Sequence, residues 1–347
     1  PHRAPAQYNG PMSRSPVLRL TLLAAAALLV QAAPASRFKT VIFGHHSDSL
    51  ASFESFARKA KQSGATHIVI TAEDLPWAMW QMDTPGDPYP AWAVSNVGLL
   101  KVSIPAALEP FLPKDYSDTV LNILRQRCEL LRKLGLKAAF TTFEPQILPE
   151  RVYEAHPLWR GPQVDHPLRS RVPRFAPSID NPEVLALYRE SIRKLLSICP
   201  EIEILSLHTN DSGSGMSWSP GLYQGPNGSA LTRGRRMHER YRDFFGALQD
   251  GAKDARPGPL EIDAEWVREP APDLVASKLA PGMAIANLEG PHATPYKAVV
   301  GFLLDYFYPF YPAQGLPLPV RYLEELERAS KSTAPHLFYL IGDRQES

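Results

Sequence analysis

The sequence predicts a (β/α)8 TIM barrel with long loop insertions at the C-terminal face of its strands. Three observations point there. Short apolar runs alternate with amphipathic helical segments along most of the chain. Eight such runs can be counted, the strand number of the barrel. Acidic, His and Asn residues recur where the runs end, and parallel α/β folds place their sites at the carboxyl ends of strands. A chain of 347 residues holds the roughly 250 that one barrel uses, with room for insertions.

The barrel is expected to occupy residues 37–347. Ahead of it, Arg14 and Arg19, the apolar run Leu20–Val30 and the small residues Ala32-Ala33-Pro34-Ala35-Ser36 have the three-part layout of a secretory signal peptide. The residues before Met12 read as upstream sequence, so 1–36 are set apart from the fold and the mature protein is expected to be secreted or periplasmic. The apolar run is short and Ala-rich for a spanning helix, although an uncleaved N-terminal anchor is the alternative, and no later run is apolar enough to cross a membrane.

Thr40 to His46 is the first strand and ends in two histidines. Ser47 to Gly64 is an amphipathic helix with Leu50, Phe53, Ala57 and Ala60 on one face. Thr66 to Thr71 leads to Glu73-Asp74. From Leu75 to Tyr116 the periodicity disappears and Trp77, Trp80, Tyr89 and Trp92 gather among prolines, which predicts a long loop. Asp118 to Leu134 is a helix stopped by Gly135. Leu136 to Phe143 is a strand that delivers Glu144-Pro145.

A second long loop, Gln146 to Asn181, carries Trp159, Arg160, His166, Arg169, Arg171 and Arg174, enough guanidinium to clamp an acidic sugar or a sulfate, or to be salt-bridged. Pro182 to Ile198 is a helix with Asn181 as its N-cap. The next strand, through Ile204, Leu205 and Leu207, breaks into Asn210-Asp211 followed by Gly213 and Gly215, and a third loop with Trp218 and Tyr223 follows. His238 to Ala255 is the return helix. Leu260 to Trp266, Met283 to Glu289, Ala298 to Tyr308 and His336 to Ile341 complete the strands, with a helix at Val320 to Ser330. The barrel's last helix is expected to be missing, or the chain to be part of a longer protein.

Composition removes several classes of function. A net charge of +1 with interspersed signs offers no broad basic surface, so nucleic acid is not an expected partner. Cys128 and Cys199 fall inside predicted helices without Cys or His at ligand spacing, and two buried unpaired thiols are expected there in preference to a bridge. A Walker loop, a dinucleotide fingerprint and a G-x-S-x-G elbow are absent, so no cofactor is expected.

A barrel brings His45-His46, Glu73-Asp74, Glu144, Asn210-Asp211, Asp263 with Glu265, and Glu289 to one mouth. Carboxylates gathered so are costly unless they hold a cation, a substrate or shared protons. Cleavage of a glycosidic bond uses such material, with one carboxyl group protonated as general acid and a second as nucleophile or base.

Asn181-Pro182-Glu183-Val184, Cys199-Pro200-Glu201 and Asn210-Asp211-Ser212-Gly213-Ser214-Gly215 together resemble bacterial α-glucuronidases and, more distantly, the β-N-acetylhexosaminidase-like barrel hydrolases. Thr142 to Pro145, Trp159 to Pro162 and Thr209 to Gly213 resemble a set of exported bacterial hydrolase-like proteins. Gly213 stands where the α-glucuronidase motif has its acid Glu. The hexosaminidase match instead implies Asp211 as general acid and Asn210 as the group that orients the substrate.

The expectation is therefore an exported glycoside hydrolase acting on a poly- or oligosaccharide. Asp211 is the acid, Glu265 or Glu289 the second carboxylate, and Glu144 and His46 are hydroxyl-binding or proton-tuning partners. His45, Arg160, His166, Arg174, Asn210 and Tyr223 are candidate substrate contacts, with Trp80, Trp92, Trp218 and Trp266 as stacking platforms. Two alternatives stand beside it: a non-catalytic glycan-binding barrel, and a metal-dependent hydrolase, for which HxH and HExxH spacings are lacking.

Overall fold

A computed structural model of the protein describes residues 38–43, 49–62, 65–71, 97–163, 174–208, 235–265, 283–287, 290–291, 298–303 and 336–341. All of these belong to the unit Phe38–Ser347. The chain opens β1 (Phe38–Phe43), α1 (Leu50–Gln62), β2 (His67–Val69), α2 (Leu99–Val102), α3 (Lys114–Leu134) and β3 (Lys137–Phe143). It continues with α4 (Glu150–Ala155), β4 (Arg160–Gln163), β5 (Phe175–Pro177), α5 (Pro182–Ile198), β6 (Ile202–His208), α6 (Met237–Ala255) and β7 (Glu261–Glu265). The last strands are β8 (Met283–Asn287), β9 (Gly290–Pro291), β10 (Ala298–Leu303) and β11 (His336–Ile341).

The result is an α/β fold around a parallel sheet. Its strands lie in the order β10-β11-β1-β2-β3-β6-β7-β8-β9, and every pairing is parallel except that of β8 with β9. The order is the chain order taken cyclically, because β11 pairs with β1 along six residues, Phe38 opposite His336 to Phe43 opposite Ile341. The two ends of the sheet approach one another, with Cα atoms of β10 within 8 Å of β8 and β9, although no ladder joins them among the described residues.

Both faces of the sheet are covered, as strands lacking polar alternation require. Ala138 and Phe140 on β3, Leu205 and Leu207 on β6, and Ile262 and Ala264 on β7 form one core with helix residues such as Val120, Leu124, Ile192 and Phe244. Val41, Val69, Ala139 and Ile204 are buried as fully at alternate strand positions. Helix ends follow local chemistry. Gly135 closes α3 at φ 67, where glycine carries no Cβ penalty. Helices α5 and α6 pack so closely that a Cβ on Gly251 would lie 2.3 Å from the Arg189 carbonyl oxygen.

Asn181 caps α5 by accepting from the Glu183 N–H at 2.8 Å, while its amide donates to the Leu158 carbonyl at 2.9 Å. Asn181→Ala is expected to lower stability by about 1–2 kcal/mol in urea unfolding, since it removes the cap and a tertiary hydrogen bond together. A loss below a few tenths would show that the cap is replaced.

Two expectations are corrected. The part of the Leu75–Tyr116 loop that is described contains α2, a 3-10 turn at Ala106–Leu108 and the first turn of α3. Helix α2 is four residues long, too short to show a period, and it exists because Leu99, Leu100 and Val102 are wholly buried. The Gln146–Asn181 loop contains α4, a 3-10 turn and the antiparallel ribbon β4–β5. Strands of four and three residues give no alternation to read, and Pro162 and Pro177 on them are tolerated because the ribbon stands outside the main sheet. The helix expected at Val320–Ser330 and the segment 1–36 lie outside the described residues.

Candidate active site

The register of the parallel strands sets the candidate site. Phe143, His208, Glu265 and Ala286 stand level with one another on β3, β6, β7 and β8, at the carboxyl ends of four neighbouring strands. Glu144 follows Phe143 directly, Asn210-Asp211 come two and three residues after His208, Glu265 ends β7, and Glu289 comes two residues after Asn287. His45 and His46 follow the end of β1 in the same way.

Glu144 is the carboxylate of this group whose side-chain contacts are described, and it is taken up by the protein. The Leu99 N–H donates to Oε1 at 2.5 Å and the Thr142 hydroxyl to the same oxygen at 2.8 Å. The Tyr188 hydroxyl donates to Oε2 at 2.8 Å. The side chain is 1% exposed and follows Thr142 at a spacing of two, the spacing that keeps strand residues on one face. Thr142 stands in register with Leu207, which packs in the sheet–helix core.

Lys101, on α2 and 2% exposed, supplies a positive charge nearby. Burial pushes the Glu144 carboxyl up to about 7, against the pull of Leu99, Thr142, Tyr188 and Lys101. Burial likewise draws the Lys101 ammonium down to about 7, with Glu144 opposing. Burial thus brings both groups near neutrality, and the hydrogen bonds from Leu99 and Tyr188 to Glu144 fasten α2 and α5 to the end of β3.

A second buried cluster lies where the inserted segments return: Asp180 binds Arg240 through both oxygens, Nε to Oδ1 and a terminal nitrogen to Oδ2, each at 2.7 Å. Arg235 reaches Oδ1 of the same carboxylate at 3.4 Å and pairs with Asp243. Asp180 closes the insertion after β3, and Arg235 and Arg240 stand where the chain re-enters α6 after the Asn210-Asp211 segment. One buried ion pair thus ties together the returns of the two segments that leave β3 and β6.

The remaining expected residues divide. Arg160 pairs with both oxygens of Glu150 and lies over the rings of Tyr153 and Phe175 at 5.0 and 4.8 Å, so its guanidinium is engaged within the protein. Arg174 is half-buried at the start of the ribbon strand β5. Glu265 is placed by its backbone in β7. His45, His46, Trp80, Trp92, His166, Asn210, Asp211, Trp218, Tyr223, Trp266 and Glu289 lie outside the described residues. Among the described residues no group of three His, Cys, Asp or Glu is placed to hold a metal.

Sequence reasoning missed Lys101, Tyr188 and Asp180–Arg240. A signal existed for the first two. Lys101 interrupts the apolar string Leu99-Leu100-Lys101-Val102, and Tyr188 lies on the same helical stripe as Val184, Ser191 and Leu195, the apolar face of α5. Nothing local marks Asp180 as the partner of a residue sixty positions on.

A cavity of about 310 Å³ opens at the other end of the sheet, where Lys137, Glu203 and Glu261 stand near the starts of β3, β6 and β7. Hydrogen bonds from His67 at 3.3 Å and Lys137 at 2.8 Å hold the Glu203 carboxyl down to about 2, against the effect of burial. Sites of parallel α/β sheets lie at the carboxyl ends of the strands, so this cavity is not the candidate site.

No family model matches the chain, and no curated protein matches it in sequence. Solved structures of glycoside hydrolases resemble it distantly. A GH36 α-galactosidase of Geobacillus stearothermophilus, solved with stachyose, aligns over 89% of this chain and 39% of its own at 14% identity and a TM-score of 0.43. A GH20 catalytic module of the pneumococcal exo-β-D-N-acetylglucosaminidase StrH aligns over 89% of this chain and 79% of its own at 12% identity and a TM-score of 0.41. A β-N-acetylhexosaminidase aligns over 88% and 54% at 14% identity and a TM-score of 0.39. The chain spans only 26% of each of two further matched structures, a GH138 enzyme targeting pectin rhamnogalacturonan II and an α-galactosidase of Lactobacillus brevis.

Proposed function

We propose that the protein is an exported glycoside hydrolase whose sheet closes into a (β/α)8 barrel, with β10 meeting the β8 end. The observation that carries the reading is the strand register: four neighbouring parallel strands end level, and each is followed or finished by a carboxylate, Glu144, Asp211, Glu265 and Glu289. Carboxylates brought to one edge of a parallel sheet meet the requirement for acid and nucleophile or base at a glycosidic bond. Asp211 is the general acid, Glu265 or Glu289 the second carboxylate, and Asn210 orients the sugar. His46, His166 and Arg174 contact hydroxyl or acidic groups, while Trp80, Trp92, Trp218 and Trp266 offer faces for sugar rings. Glu144 acts in this reading as a positioning carboxylate, because its oxygens already accept from Leu99, Thr142 and Tyr188.

The test is turnover of a panel of aryl glycosides and of plant and algal polysaccharides by the wild type, Asp211→Asn and Glu265→Ala. A loss of roughly 10²–10⁴-fold in kcat is expected for Asp211→Asn, the range of one general acid. Unchanged activity in both variants would end the assignment. One observation favours a second reading, a glycan-binding barrel without turnover: a carboxylate at the end of β3 is committed to the protein interior. Saccharide binding by calorimetry with no product from any substrate would decide for it. Export is tested by N-terminal sequencing of the mature protein, which is expected to begin near Arg37.

A further inference from the structure

Charges of both signs line the cavity of about 310 Å³ at the amino ends of β3, β6 and β7, Lys137 and Arg256 against Glu203 and Glu261. Its volume is at the lower end of the range for small-molecule sites, about 300–1,000 Å³. Glu203 is the extra residue of a β-bulge, since Ala138 stands opposite Ile202 and Ala139 opposite Ile204, and a bulge re-aims the side chain it carries. Arg256 follows the end of α6 and donates to the carbonyls of Pro257 and Pro259 at 3.0 Å each, while Gly258 between them turns at φ 89. The guanidinium thus fixes the turn that walls the cavity. The Lys137 ammonium pairs with Glu203 at 2.8 Å and is 52% exposed, so its other donors can face a ligand.

This lining selects by charge. An inorganic anion such as phosphate meets Lys137 and Arg256 but is opposed by Glu203 and Glu261, and a diamine meets the reverse. No aromatic side chain lines the cavity among the described residues, so it offers a sugar ring or a nucleobase no stacking face. A ligand that carries one charge of each sign on neighbouring atoms gains from both pairs. We propose that the cavity binds a small zwitterion, an α-amino acid, with its carboxylate on Lys137 and Arg256 and its ammonium on Glu203 and Glu261. Glu203 stays ionised there through neutral pH, because His67 and Lys137 hold its carboxyl down to about 2. The proposal is independent of the hydrolase reading, since the cavity lies at the opposite end of the strands from the candidate active site.

The experiment is isothermal titration of the full chain with glycine, L-alanine and L-glutamine, beside acetate, phosphate, putrescine and glucose, which carry charge of one sign or none. At least one amino acid is expected to bind with a Kd of about 1 mM or tighter, and the comparison compounds about tenfold or more weakly. N-acetyl-L-glutamine and L-glutamine methyl ester each lack one of the two charges and should lose about tenfold or more on the unaltered chain. Glu261→Gln and Lys137→Met, shown by circular dichroism to be folded, should weaken binding to a similar degree. Asp211→Asn should bind as the wild type does. The absence of heat from all three amino acids, equal binding of acetate, phosphate, putrescine or glucose, full affinity for the two blocked derivatives, full affinity in Glu261→Gln or Lys137→Met, or loss of binding in Asp211→Asn would overturn the site.

Discussion

Asp180→Ala is expected to cost about 3–5 kcal/mol in urea unfolding, the range for removing one partner of a buried ion pair. The side chains of Asp180 and Arg240 are 2% and 4% exposed, so water cannot take over the lost carboxylate. The penalty is the desolvated guanidinium left behind, more than the worth of the bond itself. Replacing both partners by apolar residues, Asp180→Leu with Arg240→Met, should therefore recover most of the loss. A cost below about 1 kcal/mol for Asp180→Ala would mean that Arg235 and the surface carry the charge, and the pair would lose its role as a tie between the two returning segments.

A trough in stability near pH 7 is the second large effect. The Glu144 carboxyl is raised from 4.5 to about 7 in the folded protein, so between those values the native state holds a proton that the unfolded chain has lost. Its contribution is full below pH 4.5 and disappears as pH rises through 7. Lys101 is lowered from 10.5 to about 7, so above 7 the unfolded chain holds the extra proton and stability climbs again toward pH 10.5. The acidic arm is worth of order 3 kcal/mol and the alkaline arm of order 5 kcal/mol. Other groups titrate across this range, so the quantity to measure is the difference between the wild type and the Glu144→Gln, Lys101→Met double variant. Glu144→Gln alone should remove the acidic arm and keep the alkaline one. A difference independent of pH would show that the two groups stay ionised throughout, and the account of burial shifting both toward neutrality would fail.

These two clusters also show where a one-dimensional reading stops. The span of α5 from Pro182 to Ile198 and its Asn181 cap were legible because each cue lies within a few residues of the next: the cap, Pro at the first position, and a stripe of apolar residues. The strand from His336 to Ile341 was legible as an uninterrupted apolar run. Boundaries moved by a few residues elsewhere, as at β1 (Phe38–Phe43) and α3 (Lys114–Leu134), since ends depend on partners more than on period.

Local pattern therefore determined that parallel strands alternate with helices, and that Glu144, Asp211, Glu265 and Glu289 come at or just past strand ends. Only the tertiary structure decided that Glu144 accepts from Leu99, Thr142 and Tyr188 beside the buried charge of Lys101, that Asp180 finds Arg240, and that Cys128 and Cys199 are buried in one core. The reason is physical. Periodicity and capping act between residues a turn or two apart, whereas the proton affinity and pairing of a buried side chain depend on groups delivered from tens of residues away by packing.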